Sequence, residues 1–220
     1  TVTPRVPIIT SLTASPASPR VTGTPLTFSV TVTGGTSPQQ CKWLLTTDPT
    51  WTTYTMADGL ADNTIGYVFA DASHNIWAAT GIGLNMFNGA SWTTFTTASG
   101  LPGDDIKYIT ESPSDIIWVG ALGGYSEFIS PSAFASYTIA TIDSLASDNV
   151  FAVAVQDNGN KWIGTWSGIS VIDVDDNWVE NIRMSDGLYN DFVQDIKIAP
   201  NGDIWVGTMK GLMTITRDIK

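Results

Sequence analysis

Four turn residues, Asn63, Asp104, Asp148 and Asp191, recur at one position, each two residues before an apolar run that opens at Ile65, Ile106, Val150 or Val193. Gathered around a common axis, their side chains would offer several hard oxygen ligands, the set that suits Ca²⁺. Held apart, each would cap a turn by bonding the backbone two residues on. Turn capping is the favoured reading. Trp166 is a second candidate. It falls in a turn after Trp162-Ile-Gly-Thr, where the fourth copy of the same pattern has Met209. An exposed indole there could stack on a sugar ring, or pack against a neighbouring loop.

Catalysis finds little support. His74 is the only histidine and stands in a hairpin turn beside Asn75. No Ser, His and acid arrangement recurs at a useful spacing. The adjacent acids Asp104-Asp105 and Asp175-Asp176 would need facing partners at a set separation to act as acid and base. The glycines sit in turns with no helix to follow, so they build no phosphate cradle. A single Cys41 excludes an internal disulfide and a Cys-Cys metal knuckle. No catalytic residue is assigned, and no cofactor beyond the Ca²⁺ just weighed. The formal net charge of −11 argues against nucleic acid or an anionic membrane surface as a partner. No apolar run approaches membrane-spanning length, which argues against membrane insertion.

The elements that position these residues repeat. Trp77, Trp118, Trp162 and Trp205 are spaced 41, 44 and 43 residues apart, and Leu60, Leu101, Leu145 and Leu188 each precede one of them by 17 residues. Two markers holding one period in the low forties predict a β-propeller array. Each repeat reads as four strands. The mostly apolar runs 65–70, 106–110, 150–155 and 193–198 suit strands buried on both faces. Asn158-Gly159 and Asn201-Gly202 predict tight hairpins of type I′, which need positive φ at both positions. Ser73-His74-Asn75 and Ser114-Asp115 fill that place in the other two repeats. The four Trp strands follow and are expected in the core between blades. No helix is required anywhere.

The pattern Gly-Leu-x-x-Asn/Asp-x-Val/Ile, followed by Asn-Gly-x-x-Trp-x-Gly-Thr-x-x-Gly-Leu, resembles the two-component regulator propeller repeat over about 170 residues. The second repeat departs from it, with Ile116 in the turn position and Tyr125 in place of Leu. The resemblance implies a periplasmic sensing or binding domain. The kinase and DNA-binding parts of such systems are not in this sequence.

The fold class expected is all-β: a small propeller of four four-stranded blades spanning 51–220, preceded at 1–50 by a partial immunoglobulin-like segment or extended arm. The first repeat opens with the outer strand 51–55 and the last stops after its third strand. Residues 51–55 are therefore expected to pair with 212–216 and close the ring, removing an exposed sheet edge; the alternative is that the four repeats are part of a longer ring, as the family resemblance implies. In the N-terminal stretch, Pro4, Pro7, Pro16, Pro19 and Pro25 argue against helix. Runs 8–13, 26–33 and 41–45 alternate as strands do. The segment resembles the opening strands of bacterial surface immunoglobulin-like modules. Leu26, Phe28, Val30 and Val32 share one face. Three short strands cannot close a sandwich alone, so this face is expected to lie either on the chain's own propeller or against a neighbouring molecule; the second is favoured, and with it a self-associating, filamentous protein. The starting Thr1 suggests a mature exported chain or an excised piece. The functional expectation is an exported, extracytoplasmic bacterial interaction or ligand-binding module, non-enzymatic, with a carbohydrate or protein as ligand. A structural subunit of a surface fibre is the alternative.

Overall fold

A computed structural model of the chain describes residues 8–15, 27–33, 51–129, 132–142 and 144–216. The chain divides into two compact units, Thr1–Trp51 and Thr52–Lys220. In the first unit, β1 (Ile8–Ser15) and β2 (Thr27–Thr33) form an antiparallel pair with Leu12 opposite Val30 and Ala14 opposite Phe28. Both match the alternating runs read in the sequence. The third expected strand, 41–45, and Leu26 lie outside the described residues, as do the side-chain surroundings of Phe28, Val30 and Val32.

The second unit is an all-β propeller of four blades. Blade 1 contains β3 (Tyr67–Ala70), β4 (Ile76–Thr80), β5 (Gly83–Phe87) and β6 (Trp92–Phe95). Blade 2 contains β7 (Ile106–Glu111), β8 (Ile117–Ala121), β9 (Gly124–Ile129) and β10 (Ala133–Tyr137). Blade 3 contains β11 (Val150–Val155), β12 (Lys161–Thr165), β13 (Gly168–Ile172) and β14 (Trp178–Ile182). Blade 4 has β15 (Val193–Ile198), β16 (Ile204–Thr208) and β17 (Gly211–Ile215), and each blade is one antiparallel sheet in chain order. Single 3₁₀ turns, Met56–Asp58, Thr97–Ser99 and Met184–Asp186, are the only helical elements among the described residues.

The inner strands carry a bulge that explains their apolar spacing. Pairing slips by one between Ile106 and Tyr108, between Val150 and Ala152, and between Val193 and Asp195. Strict alternation would send residues i and i+2 to one face. The extra residue instead turns i and i+3 together. Ile106 and Ile109 thus pack toward blade 1, while Tyr108 packs toward blade 3. The hairpins also differ from the type I′ expectation. Gly159 and Gly202 have φ of 86° and 88°, but Asn158 and Asn201 are not left-handed. Gly159 N–H donates to Gln156 O and Gln156 N–H to Asn160 O, the three-residue hairpin with a left-handed last position. His74 (φ 67°) and Asp115 (φ 60°) occupy that same position in blades 1 and 2.

Three apolar clusters join the blades in sequence. One packs Trp77, Leu84 and Phe95 against Ile106, Ile109 and Val119. A second packs Trp118 and Tyr125 against Val150, Val153 and Ile163. The third packs Trp162, Ile169 and Ile182 against Val193, Ile196 and Val206. Among the described residues no cluster joins blade 4 to blade 1. Trp77, Trp118 and Trp162 are 1–3% exposed, as core between blades must be, whereas Trp205 is 42% exposed. The expectation of four core tryptophans therefore holds for three, and the arc is open.

The expected closing strand does not form. Residues 51–55 carry no strand, and among the described residues β17 has no strand partner on its outer side. Tyr54 lies instead on the edge of blade 1, with its ring 5.1 Å from Phe87 and 5.5 Å from Trp92. The following turn is tied down as well: Thr55 caps it by accepting from Ala57 N–H, and Asn63 holds Met56 N–H. These local bonds keep the segment beside blade 1, out of reach of the far edge of an open arc.

Candidate functional site

The four repeated turn residues do the same job in every blade: each caps a turn, but at an amide seven or nine residues earlier rather than two residues on. Asn63 Oδ1 accepts from Met56 N–H at 2.8 Å, Asp104 from Thr97 N–H at 2.6 Å, Asp148 from Ile139 N–H at 2.6 Å and Asp191 from Met184 N–H at 2.7 Å. Three of these amides open a 3₁₀ turn. An amide there has no partner within the turn, so a side-chain oxygen must supply one. The Asx-type bond two residues on belongs to the residue just before: Asp62 accepts from Thr64 N–H, Ser147 from Asn149 N–H and Asn190 from Phe192 N–H. Among the described residues no three His, Cys, Asp or Glu side chains are grouped to hold a metal. The Ca²⁺ ring is therefore not formed. A neutral amide at Asn63 serves as well as a carboxylate because only an acceptor is needed.

Trp166 lies in an aromatic cluster rather than alone. It is 55% exposed. Its ring stacks on Phe192 at 4.5 Å and 25°, and Phe151 meets Phe192 edge-on at 4.8 Å. The repeat places the three together: Phe151 is one residue into β11, Phe192 immediately precedes β15, and Trp166 opens the turn between β12 and β13. Met209 occupies the equivalent turn of blade 4, is exposed, and donates its N–H to Phe192 O. In blades 1 and 2 the three equivalent positions hold Gly66, Gly81 and Asp105. There the same niche is an open cleft of about 270 Å³, with Asp105 and Lys107 paired at 2.7 Å on its wall. One scaffold position is thus empty and charged in one niche, aromatic in another. The blades do not require aromatic rings at these sites.

A polar cluster on the inner wall escaped the sequence reading. The second residue past the first apolar position of each inner strand is Tyr67, Tyr108, Ala152 or Asp195. The rings of Tyr67 and Tyr108 lie 5.2 Å apart. Across the small Ala152, Tyr108 OH donates to Asp195 Oδ1 at 2.9 Å. Lys197 donates to the same phenol oxygen, and its ammonium sits 4.8 Å from the Tyr108 ring centre. Burial pushes the Tyr108 phenol far above its ordinary range, and the Asp195 carboxylate adds to the shift. A cavity of about 350 Å³ lies beside this cluster at the hairpin end, lined by Tyr108, Glu111, Val153, Ile196 and Lys197. The missed signal was an Asp and a Lys within a run read as buried on both faces. Gln194 and Lys197 of β15 in fact face solvent.

His74 makes its hairpin by donating its N–H to Asp71 O at 3.0 Å.

Over about three quarters of the chain the fold is similar to that of solved bacterial extracellular domains. The extracellular domain of the hybrid two-component system BT3049 from B. thetaiotaomicron superposes with a TM-score of 0.64 at 21% identity, over 72% of this chain and 22% of that one. The extracellular domain of BT4673 from the same organism gives 0.64 at 19% identity, over 74% of this chain and 25% of that one. The fold is that of these extracellular domains. PorZ, a surface component of the type-IX secretion system of Porphyromonas gingivalis, matches at 25% identity with a TM-score of 0.51, over 68% of this chain and 23% of that one. The match spans about a quarter of the length of each of these three structures. No protein-family model and no curated protein matches it.

Proposed function

We propose that the propeller is a non-catalytic binding module that works outside the bacterial cytoplasm and takes its ligand on the Trp166 cluster. The observation that carries this reading is the exposed Trp166–Phe192 stack, placed where the fold elsewhere uses glycine and aspartate. An exposed apolar patch with a polar surround marks a binding surface, and Trp is the side chain most enriched where partners bind tightly. The flat indole suits the apolar face of a sugar ring or a side chain of a protein segment. Likeness to extracellular sensor propellers supports both the ligand-binding role and the location. The test is titration calorimetry against a panel of bacterial and plant oligosaccharides and a peptide library, with the Trp166→Ala protein alongside. Binding that falls at least about tenfold on that substitution, with an unchanged melting temperature, supports the site. Binding that is indifferent to Trp166, or no binding to any panel member, overturns it.

A further inference from the structure

We propose that the cleft between blades 1 and 2 is a second binding site, which takes one tryptophan or tyrosine side chain, flanked by Lys or Arg, from an extended segment of a partner protein. It is separate from the Trp166 cluster and stands whether or not that cluster binds. Its two walls belong to blades whose joint is closed within the chain, where Trp77 and Leu84 pack on Ile106 and Ile109. Thr64 and Gly66 lead into β3, Gly81 opens the turn between β4 and β5, and Asp105 and Lys107 flank Ile106 at the start of β7.

Shape argues for a single ring. The same backbone positions in blades 3 and 4 hold Phe151, Trp166 and Phe192, and there the rings of Trp166 and Phe192 stack at 4.5 Å. In blades 1 and 2 they hold Gly66, Gly81 and Asp105, so the scaffold leaves open the space that its own aromatic rings occupy elsewhere. Nothing in the fold asks for glycine at either place. Neither Gly66 nor Gly81 has a positive φ. A Cβ at Gly66 would have Ala79 O at 3.8 Å, an ordinary contact, and one at Gly81 would meet nothing within 4 Å. Glycine carries an entropic cost that a larger residue would lessen, and its effect here is an open cleft. The volume of about 270 Å³ falls below the range of about 300–1,000 Å³ that encloses a drug-sized ligand. The cleft has room for one inserted ring.

Wall chemistry selects the kind of ring. Lys107, paired with Asp105 at 2.7 Å, brings an ammonium to the cleft, and an ammonium within about 6 Å of an aromatic face attracts it. The chain makes that contact twice already, with Lys161 over Trp118 at 5.6 Å and Lys197 over Tyr108 at 4.8 Å. The Asp105 carboxylate can accept from an indole N–H or a phenol O–H, which phenylalanine and the aliphatic side chains lack. Charge selects the flanking residues. The turns that bring Thr64 and Asp105 to the cleft also carry Asp62 and Asp104, while Lys107 is the only Lys or Arg in blades 1 and 2. Three carboxylates against one ammonium complement a segment with Lys or Arg on either side of its aromatic residue.

Two-dimensional NMR of the nitrogen-15-labelled chain reads the site directly, because the amides of Gly66 and Gly81 lie in it. The probes are the blocked peptides acetyl-Lys-Trp-Lys-amide, acetyl-Glu-Trp-Glu-amide and acetyl-Lys-Ala-Lys-amide, with N-acetylglucosamine beside them. The Lys-Trp-Lys probe should shift both glycine amides with millimolar or tighter affinity, in the parent and in the Trp166→Ala protein alike. At low salt it should bind at least about tenfold more tightly than Glu-Trp-Glu. Gly81→Trp and Gly66→Phe, made singly, fill the cleft with the chain's own ring as blades 3 and 4 do. Each should keep the parent melting temperature and abolish the shift at the remaining glycine, and either one that folds decides the matter. No shift up to about 10 mM Lys-Trp-Lys, shifts that survive the filling substitution, or equal shifts from Lys-Ala-Lys overturn the proposal. So does equal binding of Glu-Trp-Glu, or a response to N-acetylglucosamine in place of Lys-Trp-Lys, which would assign the cleft to a sugar.

Discussion

At the scale of single residues, the fold asks for an acceptor oxygen where the sequence displays a charge. Asp104 accepts from Thr97 N–H at the start of a 3₁₀ turn, and Asn63 does the equivalent for Met56 with no charge at all. Asp104→Asn should therefore leave stability within about 0.5 kcal/mol, whereas Asp104→Ala should cost about 1 kcal/mol by orphaning the amide. Thermal melts of the two variants with and without calcium decide this. Equal loss in both, or a calcium-dependent melting temperature in the parent, would restore the charged reading. A similar rule of partners governs the third strand. Buried Asn85 accepts from Ala61 N–H, and Ser170 accepts from Ala146 N–H. In blade 2 the residue equivalent to Ala61 and Ala146 is Pro102, which has no N–H to donate, and the hydroxyl of the equivalent Ser126 is buried without a hydrogen-bond partner.

At the scale of elements, burial differs between strands that read alike. Trp162 and Trp205 stand in near-identical stretches, Lys161-Trp-Ile-Gly-Thr and Ile204-Trp-Val-Gly-Thr. Trp162 is sealed by blade 4, while no blade of the chain covers Trp205. Trp162→Ala should cost about 3–5 kcal/mol, and Trp205→Ala about 1 kcal/mol or less, read by urea unfolding. Equal costs would mean that Trp205 is packed in solution. This difference also marks what the sequence could and could not tell. Period, strand phase and blade count were legible because each repeat carries its own Trp, its own Gly-Leu tract and its own hairpin turn. Closure was not legible, because it depends on whether blade 4 meets blade 1, and a strand lacking a neighbour has the same residues as one that has it. The Tyr108–Asp195–Lys197 cluster was hidden for a related reason. Its members lie 87 and 89 residues apart, so only the arc brings them together.

At the scale of the whole propeller, the joint between blades 2 and 3 departs from its neighbours by being polar, and this sets a pH limit on the fold. Lys161 stands where the other blades have isoleucine, and it is buried with its ammonium 2.6 Å from Asp176. Tyr137 donates to Glu127 at 2.9 Å, and its ring stacks 4.9 Å from that of Tyr125, whose hydroxyl is buried unpaired. Burial drives the phenols of Tyr125, Tyr137 and Tyr108 well above their ordinary range, and nearby carboxylates reinforce the shift. In the unfolded chain these phenols ionise near pH 10. Below that pH both states hold the protons and stability is independent of them. Above it the unfolded chain releases protons that the folded chain retains, so each fully buried tyrosine removes up to about 1.4 kcal/mol per pH unit, and the partly exposed Tyr137 less. A typical domain has about 5–15 kcal/mol to lose, so the melting temperature should hold steady to about pH 10 and fall steeply beyond it. Tyr125→Phe removes a phenol whose hydroxyl has no partner. It should leave stability at pH 7 nearly unchanged and make the alkaline fall shallower. Absorbance at 295 nm supplies the independent readout: the folded protein should ionise fewer than its six tyrosines near pH 10 and the remainder only on unfolding. A melting temperature that is flat through pH 11.5, or six phenols titrating together in the folded state, would show that the joint is open to water.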